Sequence, residues 1–301
     1  MKNIIIVALL IVFTISLNAQ KVDSFISKDG TEIFFQEFGD KGKTIVLLSG
    51  GPGLTPYYLE PLYNELKKKY RCILLHQRGT GESLLDNVNQ ESLTVQKYID
   101  DLNGLYLKLG GEKLILVGHS WGGMLSFSYA ANEPDKIKKI ILLNTGGVTD
   151  SFYTWFGSNI NMRLQAEDKE LYQKQLDNKR STLIAIWPGY FFDRDIALKT
   201  RPPLDFKFNN QSGINPLAAG DWRKRSEDRV SKLINYKGPI DLITGRQDPV
   251  GESVVYEAKS IIPQLKYTFI EQCGHFPWIC LLYTSDAADE GLGVDLGGRR
   301  I

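Results

Sequence analysis

Histidine is scarce in this chain. His76, His119 and His275 are the only three in 301 residues, so any histidine-dependent chemistry has few possible arrangements. Cysteine and methionine are equally rare, with three of each. Cys72 lies in the apolar run RCILL and reads as a buried strand residue. Cys273 reads as a loop residue, and the two make no disulfide framework. Neither sign of charge prevails: 36 Lys and Arg stand against 35 Asp and Glu, a net charge of +1. That excludes the basic footprint of a nucleic-acid binder and any acidic tail. Past the N-terminal segment no apolar run approaches the roughly 20 residues that cross a bilayer. Internal repeats and low-complexity tracts are absent.

The N-terminal segment is of another kind. MKNIIIVALLIVFTISLNAQ has a short basic start, an apolar run and a small residue near its end. This is the pattern of a secretory signal peptide, residues 1–19, with cleavage expected after Ala19. The run from Ile4 to Leu17 is short for a membrane span. A secreted or periplasmic protein with no stable membrane span after cleavage is expected.

From there short apolar runs alternate with helical patterns. TEIFFQEF, KTIVLLS, RCILLH, KLILVG and IKKIILLN read as strands. LEPLYNELKKKY, TVQKYIDDLNGLYLKLG and MLSFSYAANE read as helices, the second with Thr94 as N-cap and Gly110 at its stop. Strands such as KLILVG are apolar on both faces, as central strands of a parallel sheet must be. The rhythm breaks between about Val148 and Lys237, a segment rich in Trp, Tyr, Phe, Lys and Asn with helix-like pieces and no convincing strand. It returns with PIDLITG, ESVVYEAKSII and LKYTFIEQ. The expected fold is α/β: a mostly parallel sheet flanked by helices, in two parts (20–148 and 238–279), interrupted by a mainly helical cap (149–237). Such a cap can lie over the carboxyl ends of the strands, where open α/β sheets bind ligands.

At LILVGHSWGG the strand stops at a serine fenced by glycines. Gly118, Ser120 and Gly122 fit Gly-x-Ser-x-Gly in the strand–turn–helix context that lifts a hydroxyl above the sheet edge. A serine needs a base. His119 adjoins it and is expected to point elsewhere, and His76 ends a strand. His275, in EQCGHFPW after the last strand, is the expected base, with Gly274 expected to let its loop bend. Asp248, in TGRQDPVG after the preceding strand, is the acid that would orient it, ahead of Asp241 inside the strand and Asp228 in the insertion. The oxyanion donors are expected to be the Trp121 backbone and, from SGGPGLTPYY, Gly51 with Gly50 second. No Gly-Lys-Ser/Thr follows that glycine run, so it is not a phosphate-binding loop. Neither cofactor nor metal is called for.

Together SGGPG, QRGTGES, GHSWGG, GRQDP and CGHFPW resemble the α/β-hydrolase superfamily, and within it the prolyl aminopeptidase (proline iminopeptidase) branch, over about Ser24 to Ile279. The resemblance implies the triad Ser120, Asp248 and His275, the oxyanion pair Gly51 and Trp121, and a cap over the site. Two positions depart from the branch: Ser49 stands where it has His before Gly-Gly-Pro-Gly, and His76 where it has Asp before Gln-Arg-Gly. Members that clip N-terminal proline hold the free amine with cap glutamates, for which Glu167, Glu170 and Glu227 are candidates. The last stretch, CLLYTSDAADEGLGVDLGGRRI, resembles translated sequencing-adaptor read-through, so residues 280–301 read as non-native. In this fold a helix normally follows the catalytic histidine. Losing one would cost roughly 8–15 kcal/mol, comparable to a domain's whole stability. The chain as written is therefore expected to be unstable or inactive, although the complete gene product is an enzyme. The implied activity is acyl-enzyme hydrolysis of short peptides. A small-ester or amide hydrolase is the alternative, and a non-catalytic binding member a remote one. Ser120 argues against epoxide or haloalkane chemistry, which on this fold has Asp in that place.

Overall fold

A computed structural model describes residues 21–178, 181–204, 206–208 and 211–281. The expected signal peptide lies outside these residues, as does the expected tail from 282 onward. Cys280 and Leu281 are described: residues 277–281 form a helical turn, and the Cys280 N–H donates to the Phe276 carbonyl at 3.3 Å.

Eight strands form one sheet: β1 (Lys21–Ile26), β2 (Glu32–Phe38), β3 (Thr44–Leu48), β4 (Arg71–Leu75), β5 (Leu114–His119), β6 (Ile137–Leu143), β7 (Ile240–Gly245) and β8 (Lys266–Ile270). Their spatial order is β1-β2-β4-β3-β5-β6-β7-β8. β2 runs antiparallel to both neighbours, and every other pairing is parallel. The expected mostly parallel sheet is therefore present. Strand β1 was not expected from the sequence. KVDSFI pairs with one neighbour only, and Val22 and Ile26 stay exposed, so it lacks the apolar pattern of the inner strands.

The helices are α1 (Glu60–Leu66), α2 (Val95–Lys108), α3 (Trp121–Asn132), α4 (Phe156–Asn161), α5 (Ala166–Asp177), α6 (Arg194–Thr200), α7 (Ile214–Lys224), α8 (Ser226–Leu233) and α9 (Ser253–Ile261). α2 begins where expected: the Thr94 hydroxyl accepts the Lys97 N–H at 3.3 Å, and past its end Gly110 takes φ +89°. Among the described residues, 149–237 contain helices and short 3-10 turns but no strand.

Strand alternation builds two cores. Val46, Leu48, Leu114, Leu116, Ile140 and Leu142 face one side, with Leu102 of α2, Leu125 of α3 and Val254 of α9. Ile45, Leu47, Leu74, Ile115 and Val117 face the other, with Tyr63 of α1, the cap residues Trp187, Phe191 and Phe208, and Phe276. The helical insertion contributes to both, since Trp222 of α7 and Leu233 of α8 join the first core.

The chain leaves β3 toward β4 on one side and returns through β5 on the other. The switch in strand order therefore falls between β3 and β5, and it opens a crevice at their carboxyl ends. The loops that follow these two strands carry Gly51 and Ser120.

A buried ion cluster fixes the antiparallel edge to this frame. Arg78, after β4, donates to both Asp101 oxygens at 2.8 and 2.6 Å, to Asp29 at 3.1 Å and to the Ser92 carbonyl at 2.9 Å. Its side chain is 0% exposed and that of Asp101 2%, so neither charge has water as an alternative partner. Arg78→Met would leave Asp101 as a buried carboxylate held only by the Ser27 hydroxyl. Urea unfolding is expected to show a loss of about 3–5 kcal/mol. An unchanged midpoint would mean that the cluster is not holding this edge.

Candidate active site

At Ser120 the chain passes from β5 to α3 in one residue. The serine takes φ 53°, ψ −115°, a region that costs a non-glycine residue about 1–3 kcal/mol. Its N–H donates to the Leu143 carbonyl of β6 at 3.0 Å, which fastens the turn to the next strand. The flanking glycines are required by proximity. A Cβ on Gly118 would lie 2.4 Å from the Gly122 carbonyl oxygen, and one on Gly122 2.2 Å from that of Leu48. The hydroxyl thus stands at the N-terminus of a buried helix, whose unpaired N–H groups favour negative charge.

Asp248, in the loop after β7, is held by three donors. Its Oδ1 accepts the Val250 N–H at 2.9 Å, its Oδ2 accepts the Asn144 side-chain amide at 2.6 Å, and His275 Nδ1 lies 2.9 and 3.1 Å from the two oxygens. A carboxylate only accepts, so Nδ1 carries the imidazole proton and Nε2 keeps its lone pair. Asn144 escaped the sequence reading. It directly follows β6, at φ 47°, and also donates to the Gly274 carbonyl at 2.9 Å, so one side chain ties Asp248 to the His275 loop. An Asn at the carboxyl end of ILLN, a residue type that tolerates positive φ, was the available signal.

His275 is also held by the cap, its N–H donating to the Tyr190 carbonyl at 2.7 Å. Gly274 has a packing role besides. It does not take a left-handed backbone; a Cβ there would lie 2.1 Å from the Tyr190 carbonyl oxygen, so the glycine serves the close seating of the cap.

Ser120 and His275 line one cavity of ≈ 1030 Å³, with Gly51 beside them. Among the described residues the Ser120 hydroxyl makes no hydrogen bond of its own. Serine–histidine contacts in unliganded sites are often long and tighten only around substrate. The Gly50 N–H donates to the Tyr58 hydroxyl at 2.6 Å, which removes Gly50 as an oxyanion donor. The N–H groups of Gly51 and Trp121 donate to no acceptor among the described residues. The Trp121 indole donates to Gln77 Oε1 at 3.0 Å, and Gln77 Nε2 donates to the Ser49 carbonyl and hydroxyl at 2.8 and 3.1 Å.

Both departures from the family pattern have structural roles. The Ser49 hydroxyl donates to the Leu54 carbonyl at 3.2 Å and closes the loop that carries Gly51. His76 is buried and accepts the Glu82 N–H at Nδ1, and burial pushes its pKa down to about 4, so it is neutral near pH 7.

The three candidate glutamates do not reach the cavity. Glu167 and Glu170 on α5 and Glu227 on α8 are exposed, and none lines it. α5 turns Asp168 inward, where it pairs with Arg194, and α8 turns Arg229 and Leu233 inward. Those packed faces leave the three glutamates outside. Among the described residues no carboxylate lines the cavity; its walls are largely aromatic and aliphatic, with one lysine, Lys207.

The alpha/beta hydrolase fold family model matches residues 43–279, and the chain belongs to that family. It is 36% identical over 266 residues to a proline iminopeptidase of Lactobacillus helveticus, covering 83% of this chain and 90% of the relative. A cis-3-alkyl-4-alkyloxetan-2-one decarboxylase of Shewanella oneidensis is 35% identical over 123 residues, 40% of this chain, and the match spans only 38% of that relative's length. Among solved structures, an esterase from Exiguobacterium antarcticum superimposes with a TM-score of 0.63 at 18% identity, covering 88% of this chain and 96% of the other, a likeness of fold alone.

Gly274→Ala is expected to force the base loop and the cap apart, lowering stability by about 1–3 kcal/mol in urea unfolding. A wild-type unfolding curve would mean that the cap does not need the close approach.

Proposed function

We propose that the protein is a serine hydrolase working through an acyl-enzyme. The observation that carries this reading is the imidazole of His275. Asp248 fixes its proton on Nδ1, and its free Nε2 shares a cavity with a strained serine at a helix N-terminus. In the forward step Nε2 takes the Ser120 proton as the oxygen attacks the substrate carbonyl. The Gly51 and Trp121 N–H groups receive the oxyanion, and the imidazolium then protonates the leaving group. Water activated by the same nitrogen releases the acid.

The substrate reading is a short peptide with N-terminal proline or another small residue. It is supported by the resemblance to the Lactobacillus helveticus proline iminopeptidase over most of both chains. A specific observation favours a second reading, a small ester or amide without a free amine. A protonated N-terminus entering the cavity would meet no carboxylate among the described lining residues. The leader pattern at 1–19 supports export, and N-terminal sequencing of the mature protein should begin at Gln20.

Assays should compare proline and alanine arylamides with short-chain nitrophenyl esters. Arylamide release is expected, and ester turnover without any arylamide release removes the peptidase reading. A fluorophosphonate probe is expected to label the wild type and not Ser120→Ala, and His275→Ala is expected to lower kcat by about 10⁴-fold or more. Labelling that persists in Ser120→Ala would mean that another residue is the nucleophile.

A further inference from the structure

One buried polar chain passes beside Ser120, and its member His119 also lines the cavity. The Gly50 N–H donates to the Tyr58 hydroxyl at 2.6 Å, and that hydroxyl lies 2.7 Å from His119 Nδ1. His119 Nε2 lies 2.9 Å from the His275 carbonyl. The protons can be assigned. A carbonyl only accepts, so His119 carries its proton on Nε2. Nδ1 is then an acceptor, and the Tyr58 O–H donates to it while its oxygen accepts from Gly50. A neutral ring satisfies every group in the chain.

We propose that Tyr58 and His119 are positioning residues, a hydrogen-bonded tie that sets the oxyanion loop against the His275 loop. It holds the Gly50 amide away from the substrate and leaves Gly51 as the donor of that loop. The proposal rests on the serine-hydrolase reading. The packing is built around this tie. A Cβ on Gly50 would lie 2.9 Å from the Tyr58 hydroxyl, 3.0 Å from the Ser120 Cβ and 3.3 Å from His119 Nδ1, so a side chain there would push on both members of the tie and on the serine. His119 is 2% exposed, and its ring centroid lies 4.8 Å from those of both His275 and Trp278. Burial and the neighbouring His275 hold its pKa well below the ordinary histidine value. Its neutrality matters to the reaction, because His275 becomes cationic in the transition state and a second charge at that distance would oppose it.

If the tie only satisfied buried polar groups, breaking it would change stability and nothing else. A positioning role separates kcat from KM. In Tyr58→Phe the ring stays and the hydroxyl goes. kcat is expected to fall about 100-fold, the effect of an ångström-scale misplacement, with KM within about twofold. The double variant Tyr58→Phe/His119→Gln is expected to be no slower than the slower single variant, since one tie is broken once. A histidine-selective nitrogen NMR spectrum of the unsubstituted protein gives a second readout that needs no turnover, and with three histidines the spectrum is simple. One signal pair, absent in His119→Gln, should report a neutral ring protonated on Nε2 at pH 7. Wild-type kcat in Tyr58→Phe, fully multiplicative losses in the double variant, or His119 protonated on Nδ1 at pH 7 would each overturn the proposal. Failure of the serine-hydrolase reading would instead appear as absent fluorophosphonate labelling with the His119 signal unchanged.

Discussion

A strand that becomes a helix within one residue leaves almost no room at the corner. Here β5 turns into α3 at Ser120, and the backbone on either side packs so closely that Gly118 and Gly122 cannot carry a Cβ. The serine itself is held at positive φ, fastened by its N–H to β6 and by the helix that starts beside it. From this crowding follow the height of the hydroxyl above the sheet and its place at a helix N-terminus. The crevice between β3 and β5 then sets the Gly51 loop opposite it. Local strain persists because a helix buried over its first ten residues and a central strand over-determine the turn.

His275, the proposed base, is set from three directions. Asp248 holds the ring, Asn144 pins both the acid and the Gly274 carbonyl, and the cap holds the His275 backbone through Tyr190. The cap is therefore part of the frame that aims the imidazole as well as a wall of the cavity. Pinning of this kind limits how far the ring can drift from productive geometry, which is where positioning contributes to rate.

Much of this was legible in the sequence because the chemistry sits in short, local words. Gly-x-Ser-x-Gly needs only its neighbours to be recognised, and Asp248 and His275 each follow a readable strand. What was not legible depends on contacts across the chain. Asn144 acts on Asp248 from 104 residues away, and His119 on the His275 carbonyl from 156. The glutamates failed for a related reason. Helix-like pieces were legible in the insertion, but which face of α5 and α8 turns inward was settled by Asp168 pairing with Arg194 and by Arg229 stacking on Trp222. Strand β1 was missed because an edge strand carries only a weak apolar alternation.

The proposed chemistry requires that Ser120 be covalently acylated during turnover. Rapid quenching of the protein mixed with excess nitrophenyl acetate, followed by mass spectrometry of its peptides, detects that adduct. One acetyl group is expected on the peptide that carries Ser120, formed within the burst of nitrophenol release and lost on dilution. Nitrophenol release with that peptide unmodified, or with the acetyl group on another residue, would contradict it.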